Sequence, residues 1–296
     1  MSSLIDTKLP ITVLIAAKNE ELNISKCLES LQPAEKVYVL DSCSQDSTAK
    51  ISLSYGAEVL QFKYKGGHPK KRQWAMENID IKTPWVLLLD ADEVVPEKLW
   101  TEIKNTILNK EVADAYLIEK GFHFLGKKLK YGGFSFYAVL LFKNGKAKFE
   151  KLVEDDTEGF DMEVHERIIV DGHIKKLKTP LIHEDFKNLE SYISRHNTYS
   201  TWKAKVRYKL HISGNYGKDS VKPRLLGNSQ ERHRWMDRIS SLFPFEQWVV
   251  FFYHFFFRLG FLEGRRGLIA CQIRSSYISQ VRAKVYEMKN KQRQNI

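Results

Sequence analysis

Three carboxylates follow an apolar run in the segment VLLLDADE, residues 86–93. Asp90, Asp92 and Glu93 would stand at the end of a buried strand, where their negative charges need a partner. Carboxylate oxygens are preferred ligands of Mg²⁺ and Mn²⁺, and such an ion can bridge a carboxylate and a diphosphate. The segment also fits a second interpretation, in which Asp92 caps the next helix and Pro96 lies in its first turn.

The first 110 residues alternate strand-like and helix-like patterns. Continuous apolar runs of strand length, separated by segments with helical spacing, indicate a mostly parallel sheet covered by helices. In such sheets, ligands bind beyond the carboxyl ends of the strands. Polar residues stand at these ends: Lys18, Asn19 and Glu20 after the first strand, Asp41 and Ser42 after the second, and residues 90–93 after the fourth.

The sequence lacks the common glycine-rich nucleotide loops. The first strand is followed by AAKNEE, which contains neither the G-x-G-x-x-G of dinucleotide-binding proteins nor the G-x-G-T-[RK] loop expected of a nucleotidyltransferase. Three scattered cysteines predict neither a disulfide framework nor a zinc site, and the first residues lack the basic start of a signal peptide. We therefore expect a reducing, cytoplasmic setting.

The net charge of +11 is unevenly distributed along the chain. Residues 195–296 carry 20 Lys and Arg against 6 Asp and Glu, a net charge of +14, which leaves −3 for residues 1–194. A basic tail of this kind suits an anionic membrane surface or a nucleic acid. The tail contains no recognised nucleic-acid module, and the acidic strand ends would repel phosphate unless a metal is bound, so we expect no nucleic-acid partner.

The most hydrophobic stretch, residues 241–262, lies within this basic tail. Its uninterrupted apolar part is too short to cross a bilayer, which takes about 20 residues. Glu246, Val250, His254 and Arg258 recur at every fourth position, so a helix here has one narrow polar stripe and a wide aromatic face. This pattern predicts a helix lying in the membrane interface. The alternative is a buried helix of a C-terminal bundle or an oligomer contact.

Four motifs resemble, in order and spacing, those of family 2 of the nucleotide-sugar glycosyltransferases: VLIAAKNEE, VYVLDSCSQDST, KKRQWA and WVLLLDADE. Residues 164–200, which begin VHERIIVDG, resemble the bacterial branch that builds lipopolysaccharide core and exopolysaccharide and includes the core β-glucosyltransferases. The resemblance implies a GT-A fold over residues 1–190, a nucleotide-diphosphate sugar donor, a divalent metal and inversion at the anomeric carbon. Residues 191–296 are expected to form a basic, aromatic-rich helical region that associates with the membrane.

The resemblance also implies roles for particular residues. Ala16, Lys18, Asn19 and Glu20 match the family's first nucleotide-binding loop, and Asp41 matches the acid that binds the donor base. Arg72 matches the basic residue near the diphosphate. Asp90 and Asp92 match the metal and ribose-diphosphate motif. The Mg²⁺ or Mn²⁺ ion is assigned to Asp92, with His183 as a further candidate ligand.

An inverting transfer requires a general base that removes the proton of the acceptor hydroxyl. The motif position implies Glu166 of VHER, whereas Asp155 and Asp156 of the EDD segment offer a competing alignment. The resemblance thus implies transfer of a sugar, by family default from a UDP-sugar, to a saccharide or lipid-linked saccharide in lipopolysaccharide or polysaccharide biosynthesis. We expect it to occur at the inner face of the cell membrane. The other functions considered are a nucleotidyltransferase and a non-catalytic protein that binds membrane or nucleic acid.

Overall fold

The computed structural model describes residues 8–109, 113–152, 161, 163, 166–183, 188–214 and 220–294. The strands are β1 (Leu9–Ala17), β2 (Ala34–Asp41), β3 (Glu58–Gln61), β4 (Trp85–Asp90), β5 (Glu93–Val94), β6 (Ala115–Lys120), β7 (His123–Phe124), β8 (Lys127–Lys128), β9 (Phe136–Lys143), β10 (Ala147–Phe149), β11 (Ile168–Val170), β12 (Ile174–Lys176) and β13 (Ile182–His183). The α-helices are α1 (Ile24–Glu29), α2 (Thr48–Ser54), α3 (Lys71–Asn78), α4 (Glu97–Ile107), α5 (Leu189–Ser213), α6 (Ser229–Ser240), α7 (Glu246–Phe252) and α8 (Gly264–Gln294).

A seven-stranded sheet, with the order β12-β6-β9-β4-β1-β2-β3, forms the centre of the fold. Neighbouring strands pair in parallel except at β9, which runs antiparallel to both β4 and β6. Strands β1 and β4 are almost wholly buried, and residues of α1, α3 and α4 pack with them in one hydrophobic core. The prediction of an α/β fold with a mostly parallel sheet flanked by helices is therefore confirmed.

The strand register aligns the carboxyl ends of β1, β2 and β4. Ala16 lies opposite Leu40 on one side and Asp90 on the other, and Ala17 lies opposite Asp41. Residues that follow these three strands in the sequence consequently meet at one edge of the sheet, where ligands bind in sheets of this kind.

The chain does not enter a helix directly after Asp92. Glu93 and Val94 form β5, which pairs antiparallel with β13, and helix α4 begins only at Glu97 with Pro96 at its N-cap position. The interpretation of Asp92 as the cap of the next helix is therefore wrong. The short strand pairing takes the place of the expected helical turn and brings His183 opposite Glu93.

Long helices dominate the C-terminal part of the chain, where α5 packs against α8. A second hydrophobic cluster joins α8 to the strand-rich part, because Ala270 and Cys271 pack with Phe124, Leu129 and Phe134. Helix α5 begins next to the predicted boundary at residue 190. The division of the chain into two domains at that point stays a prediction.

The hydrophobic stretch of the tail folds as three short segments. Helix α7 is followed by a π-helical turn, Tyr253–Phe257, and a 3₁₀ turn, Gly260–Glu263. Within the portion of the chain that the structure describes, none of the helices combines the length and the apolar content that a membrane crossing requires.

A buried ion-pair network ties α5, α6 and α7 together. Arg207 of α5 donates to both carboxylate oxygens of Glu246 at 2.8 Å and to Oδ1 of Asp237 at 2.9 Å. Lys203, one turn earlier, lies 2.7 Å from the same Asp237 oxygen. Bidentate geometry and several partners compensate for the cost of burying these charges.

Replacing Arg207 by leucine should lower the free energy of unfolding by about 3 kcal/mol, because the buried Glu246 carboxylate would lose its bidentate partner. Denaturation in urea measures this change. Lys36→Met is the matched control, since Lys36 and its partner Glu58 are both exposed and their ion pair should contribute less than about 1 kcal/mol. Equal effects of the two substitutions would contradict the assignment.

Candidate functional site

Two loops at the carboxyl edge of the sheet are bonded to each other. The backbone N–H of Asn19 donates to Ser44 Oγ at 2.8 Å, and Asn19 Oδ1 accepts from the N–H of Gln45 at 2.9 Å. The N–H of Glu20 donates to Thr48 Oγ1 at 2.8 Å. Asn19 has a φ of +55°, a left-handed conformation that asparagine tolerates better than most residues. These predicted site residues therefore build the loop itself.

Asp41 lies buried at the end of β2, within the same edge. Its carboxylate accepts hydrogen bonds from the N–H and the hydroxyl of Ser44 and from Gln61 Nε2, the last at 2.8 Å. Ala16, on the neighbouring strand, is buried between Leu40 and Asp90.

An open pocket of about 410 Å³ lies beyond the ends of β1, β2 and β3. Its lining consists of Lys18, Ser42, Cys43, Phe62, Lys63, Tyr64 and Asp161. The volume is in the range of small-molecule sites, roughly 300–1,000 Å³. Two lysines and two aromatic rings suit a ligand that carries both an anionic group and a flat ring.

Lys18 and Ser42 were predicted at this edge from the sequence, whereas Phe62, Lys63 and Tyr64 were not. These three residues directly follow β3, so their position after the third strand was the available signal. The ring of Phe62 is buried and packs against that of Trp74 with centres 5.4 Å apart, whereas Lys63 is exposed and Tyr64 is half-buried.

Asp90 is neutralised by two cations of the protein. The Arg72 guanidinium donates through Nη2 to Oδ1, and Lys120 Nζ lies 2.7 Å from Oδ2. Burial alone would raise the pKa of Asp90, but the charges of Arg72 and Lys120 hold it well below its usual range. Asp90 is consequently ionised at neutral pH, and the predicted Arg72 contacts this carboxylate.

Glu93 belongs to the same cluster of charges. Its Oε1 forms an ion pair with Lys120 Nζ at 2.7 Å, and its Oε2 accepts from the backbone N–H of Asp90 at 2.8 Å. Burial raises the pKa of Glu93, although Lys120 opposes this shift. Lys120 was missed by the sequence analysis, although a lysine that ends an apolar strand pattern at 115–120 was a visible signal.

Asp92 and His183 come together at the end of β13. Oδ2 of Asp92 lies 3.4 Å from His183 Nε2, and its buried Oδ1 has no hydrogen-bond partner among the described residues. Burial lowers the pKa of His183, but the hydrogen bond and charge of Asp92 outweigh it and raise the pKa to about 8.

This pair fits a divalent ion. An unsatisfied carboxylate oxygen is a donor that both Mg²⁺ and Mn²⁺ sites use, and an imidazole nitrogen suits Mn²⁺ better than Mg²⁺. Within the described ranges, no group of three or more His, Cys, Asp or Glu side chains could hold a metal. Asp92 and His183 would therefore supply two ligands, and a ligand phosphate or water would have to complete the shell.

Glu166 is buried, away from the open pocket's lining. Its carboxylate forms an ion pair with Lys70, and the two side chains are 0% and 2% exposed. Lys70 Nζ also lies 4.3 Å from the ring centre of Trp202 on α5. The competing base candidates, Asp155 and Asp156, lie outside the described residues. The catalytic role of Glu166 stays a prediction.

Two further acidic residues hold the start of helix α3 against this edge. Glu163 accepts from the backbone N–H groups of Arg72 and Gln73 at 3.3 and 3.0 Å. Asp161 lies 3.3 Å from Lys71 Nζ, which in turn donates to the carbonyl of Ala17 at 3.0 Å. Both acids act on the first turn of α3, where unpaired N–H groups favour negative charge.

Comparison with known proteins finds a family and several relatives. Residues 12–120 match the model described as glycosyl transferase family 2. The lipopolysaccharide core biosynthesis glycosyltransferase LpsC of Rhizobium meliloti (strain 1021) is 28% identical over 211 residues, which cover 67% of this chain and 71% of that protein. Protein RfbJ of Shigella flexneri is 28% identical over 106 residues, covering 34% and 79%. These findings confirm the resemblance that the four motifs and residues 164–200 indicate.

Solved structures of glucosyl-3-phosphoglycerate synthase from Mycobacterium tuberculosis are also similar, at 22% identity and a TM-score of 0.31. The match covers 38% of this chain and 43% of that one, so the chain spans less than half of the solved protein. A likeness of this degree carries no argument about the present site.

Replacing Lys120 by methionine should lower the free energy of unfolding by about 3 kcal/mol, because Glu93 would lose its cation and Asp90 one of two. Urea denaturation measures the change. Lys143→Met provides the control, since its ion pair with Asp114 is partly exposed and should contribute less than about 1 kcal/mol. A Lys120→Met protein as stable as this control would show that the cluster does not depend on Lys120.

Proposed function

We propose that this chain, whose residues 12–120 match the glycosyl transferase family 2 model, is an inverting, metal-dependent glycosyltransferase of the GT-A type. The acceptor hydroxyl oxygen forms a bond to the anomeric carbon of the donor sugar, and the bond from that carbon to the diphosphate oxygen breaks. The nucleoside diphosphate leaves with the electron pair, and a general base takes the hydroxyl proton. The observation that carries the proposal is the pocket at the ends of β1, β2 and β3, on the same edge of the sheet as Asp90.

The donor is a nucleotide-diphosphate sugar, by family default a UDP-sugar. Lys18 and Lys63 line the pocket and suit the diphosphate, while Tyr64 offers a ring for the flat base. Asp41, at the adjoining end of β2, is the acid that the family resemblance assigns to the base. Asn19 and Glu20 support this role by fixing the loop that carries Lys18.

The divalent ion belongs to Asp92 and His183. These residues would hold Mg²⁺ or Mn²⁺, which when bound neutralises charge that develops on the departing diphosphate. Arg72 and Lys120 support the site by neutralising the neighbouring Asp90, and the buried Oδ1 of Asp92 has no hydrogen-bond partner among the described residues.

Glu166 is the proposed general base. Its ion pair with Lys70 holds the carboxylate in place. The carboxylate is covered in this structure, so catalysis requires the acceptor hydroxyl to reach it as the complex forms. Hydrogen bonds of catalytic groups often become short only in such complexes.

The acceptor is a saccharide or a lipid-linked saccharide of lipopolysaccharide or polysaccharide biosynthesis. The support is the similarity to a lipopolysaccharide core biosynthesis glycosyltransferase over two thirds of this chain. The enzyme would work from the cytoplasm as a peripheral protein on the inner face of the cell membrane, with an anionic lipid surface and no nucleic acid as partner.

Asp92→Ala should remove most of the Mn²⁺ dependence of UDP binding, lowering the affinity in the presence of Mn²⁺ by at least about tenfold, because one of two protein ligands is lost. Titration calorimetry with UDP, with and without Mn²⁺, measures it. Asp80→Ala is the control, since Asp80 is an exposed carboxylate outside the site. An unchanged response to Mn²⁺ would exclude Asp92 as a ligand.

Glu166→Gln should keep UDP binding and slow transfer by about 100-fold or more, because glutamine cannot take the proton. Release of UDP from UDP-hexoses, with saccharide and lipid-linked acceptors, measures transfer. Thermal melting and UDP affinity are recorded in parallel, since a purely structural carboxylate would lower the melting temperature and spare turnover at low temperature. If Glu166→Gln retained transfer, the general base would instead be Asp155 or Asp156.

A further inference from the structure

A contiguous group of exposed apolar side chains runs along residues 242–262, and we name it the apolar ridge. Eleven of the 24 large hydrophobic side chains exposed in the described parts of the chain belong to it. They are Leu242, Phe243, Phe245, Trp248, Val249, Phe252, Phe256, Phe257, Leu259, Phe261 and Leu262. Single exposed apolar residues are normal on a protein surface, but a contiguous patch of this kind indicates a binding surface.

Two polar side chains and one backbone carbonyl of the same segment bind the rest of the protein. Glu246 binds Arg207, and His254 Nδ1 lies 2.6 Å from the carbonyl oxygen of Gly132. The carbonyl of Arg258 accepts from the N–H of Gly132 at 2.8 Å. Turning the segment to bury its aromatic face would break these bonds and leave polar groups without partners, which is costly. The aromatic side chains are therefore held outward.

The exposed charged side chains of residues 242–268 are all positive. Glu246 and Glu263, the two acids between residues 242 and 268, are buried. Arg258, Arg265 and Arg266 are exposed on the same stretch. The outer surface here combines aromatic rings with cations, which complements a layer of apolar chains beneath anionic headgroups.

We propose that the apolar ridge inserts into the headgroup boundary of an anionic phospholipid bilayer, with Arg258, Arg265 and Arg266 lying against lipid phosphates. A second copy of the chain fits this surface less well. A two-fold contact through the ridge would bring the same arginines from both copies together, and the ridge segment exposes no acid to pair with them. A bilayer supplies both the apolar layer and the negative charge.

The inner side of the ridge is bonded to the loop that leads into β9. Glu263 Oε1 accepts from the backbone N–H groups of Lys130 and Tyr131 at 2.6 and 2.9 Å. A few residues later, β9 begins at Phe136, which lies opposite Lys120 of the acidic cluster. The docking surface is thus joined through one loop to the rim of the site. If the proposed transferase function holds, a lipid-linked acceptor can approach that rim along the bilayer.

The test is cosedimentation of the full chain with sucrose-loaded vesicles, without nucleotide or acceptor. Vesicles of phosphatidylcholine alone are compared with vesicles that also contain phosphatidylglycerol, at low and high salt. Binding should require phosphatidylglycerol and weaken as salt rises. Phe245→Ser combined with Phe257→Ser removes two rings that are 67% and 80% exposed, and should reduce partitioning by at least about tenfold.

The matched control is Leu108→Ser combined with Leu226→Ser, two leucines that are 70% and 97% exposed outside the ridge. This variant should bind vesicles as the wild type does. The proposal would be overturned if both double variants lost binding equally or if the ridge variant kept its binding. It would also be overturned if the wild type did not bind vesicles. Self-association through the ridge in analytical ultracentrifugation, without any vesicle binding, would overturn it as well.

A second measurement does not depend on a destabilising variant. Trp248 should be quenched by phospholipids brominated on the acyl chains, and Trp248→Phe should lose that quenching while still sedimenting with vesicles. Quenching that is unchanged in Trp248→Phe would place the ridge outside the bilayer and contradict the proposal. Because neither assay uses a sugar donor, failure of bilayer docking is distinguishable from failure of the proposed transferase activity.

Discussion

Neutralisation of Asp90 is the interaction on which the site depends. Three carboxylates at the end of a buried strand would repel one another, and burial would make each ionised form costly. Arg72 from α3 and Lys120 from β6 approach Asp90 from two sides, and Lys120 also pairs with Glu93. Asp90 and Glu93 pair with these cations, whereas the buried Oδ1 of Asp92 has no hydrogen-bond partner in the described structure, and His183 lies beside Asp92.

The sequence predicted the edge of the sheet well, because that edge follows from local patterns. Apolar runs predicted β1, β2 and β4, and parallel strands bring their carboxyl ends together. Lys18, Asp41 and Asp90 were therefore predicted at one edge of the sheet, and the structure places them at that edge. Of the two interpretations that the sequence left open for Asp92, the structure contradicts the helix cap. Asp92 was a reasonable helix cap by spacing, but pairing of β5 with the distant β13 prevailed.

Residues that depend on long-range topology could not be predicted in the same way. Lys120 reaches Asp90 because β9 enters the sheet antiparallel between β6 and β4, an order that no local pattern specifies. The ion pair of Lys70 with Glu166 spans 96 positions in the chain. The aromatic stretch was expected to show a polar stripe and an apolar face. The stripe residues Glu246 and His254 do turn inward, whereas Arg258 is exposed, and the break into a π-helical turn was not predicted.

The hydrogen bonds between the loop after β1 and the loop after β2 have a thermodynamic consequence for any ligand. Besides the bonds of Asn19 and Glu20, the N–H of Glu21 donates to Asp46 and Glu21 in turn accepts from the N–H of Ser47. Both loops are already ordered by each other before anything enters the cleft. Because the loops need not become ordered when a ligand binds, binding costs less loop entropy, and weak individual contacts can give a higher affinity than they would with disordered loops.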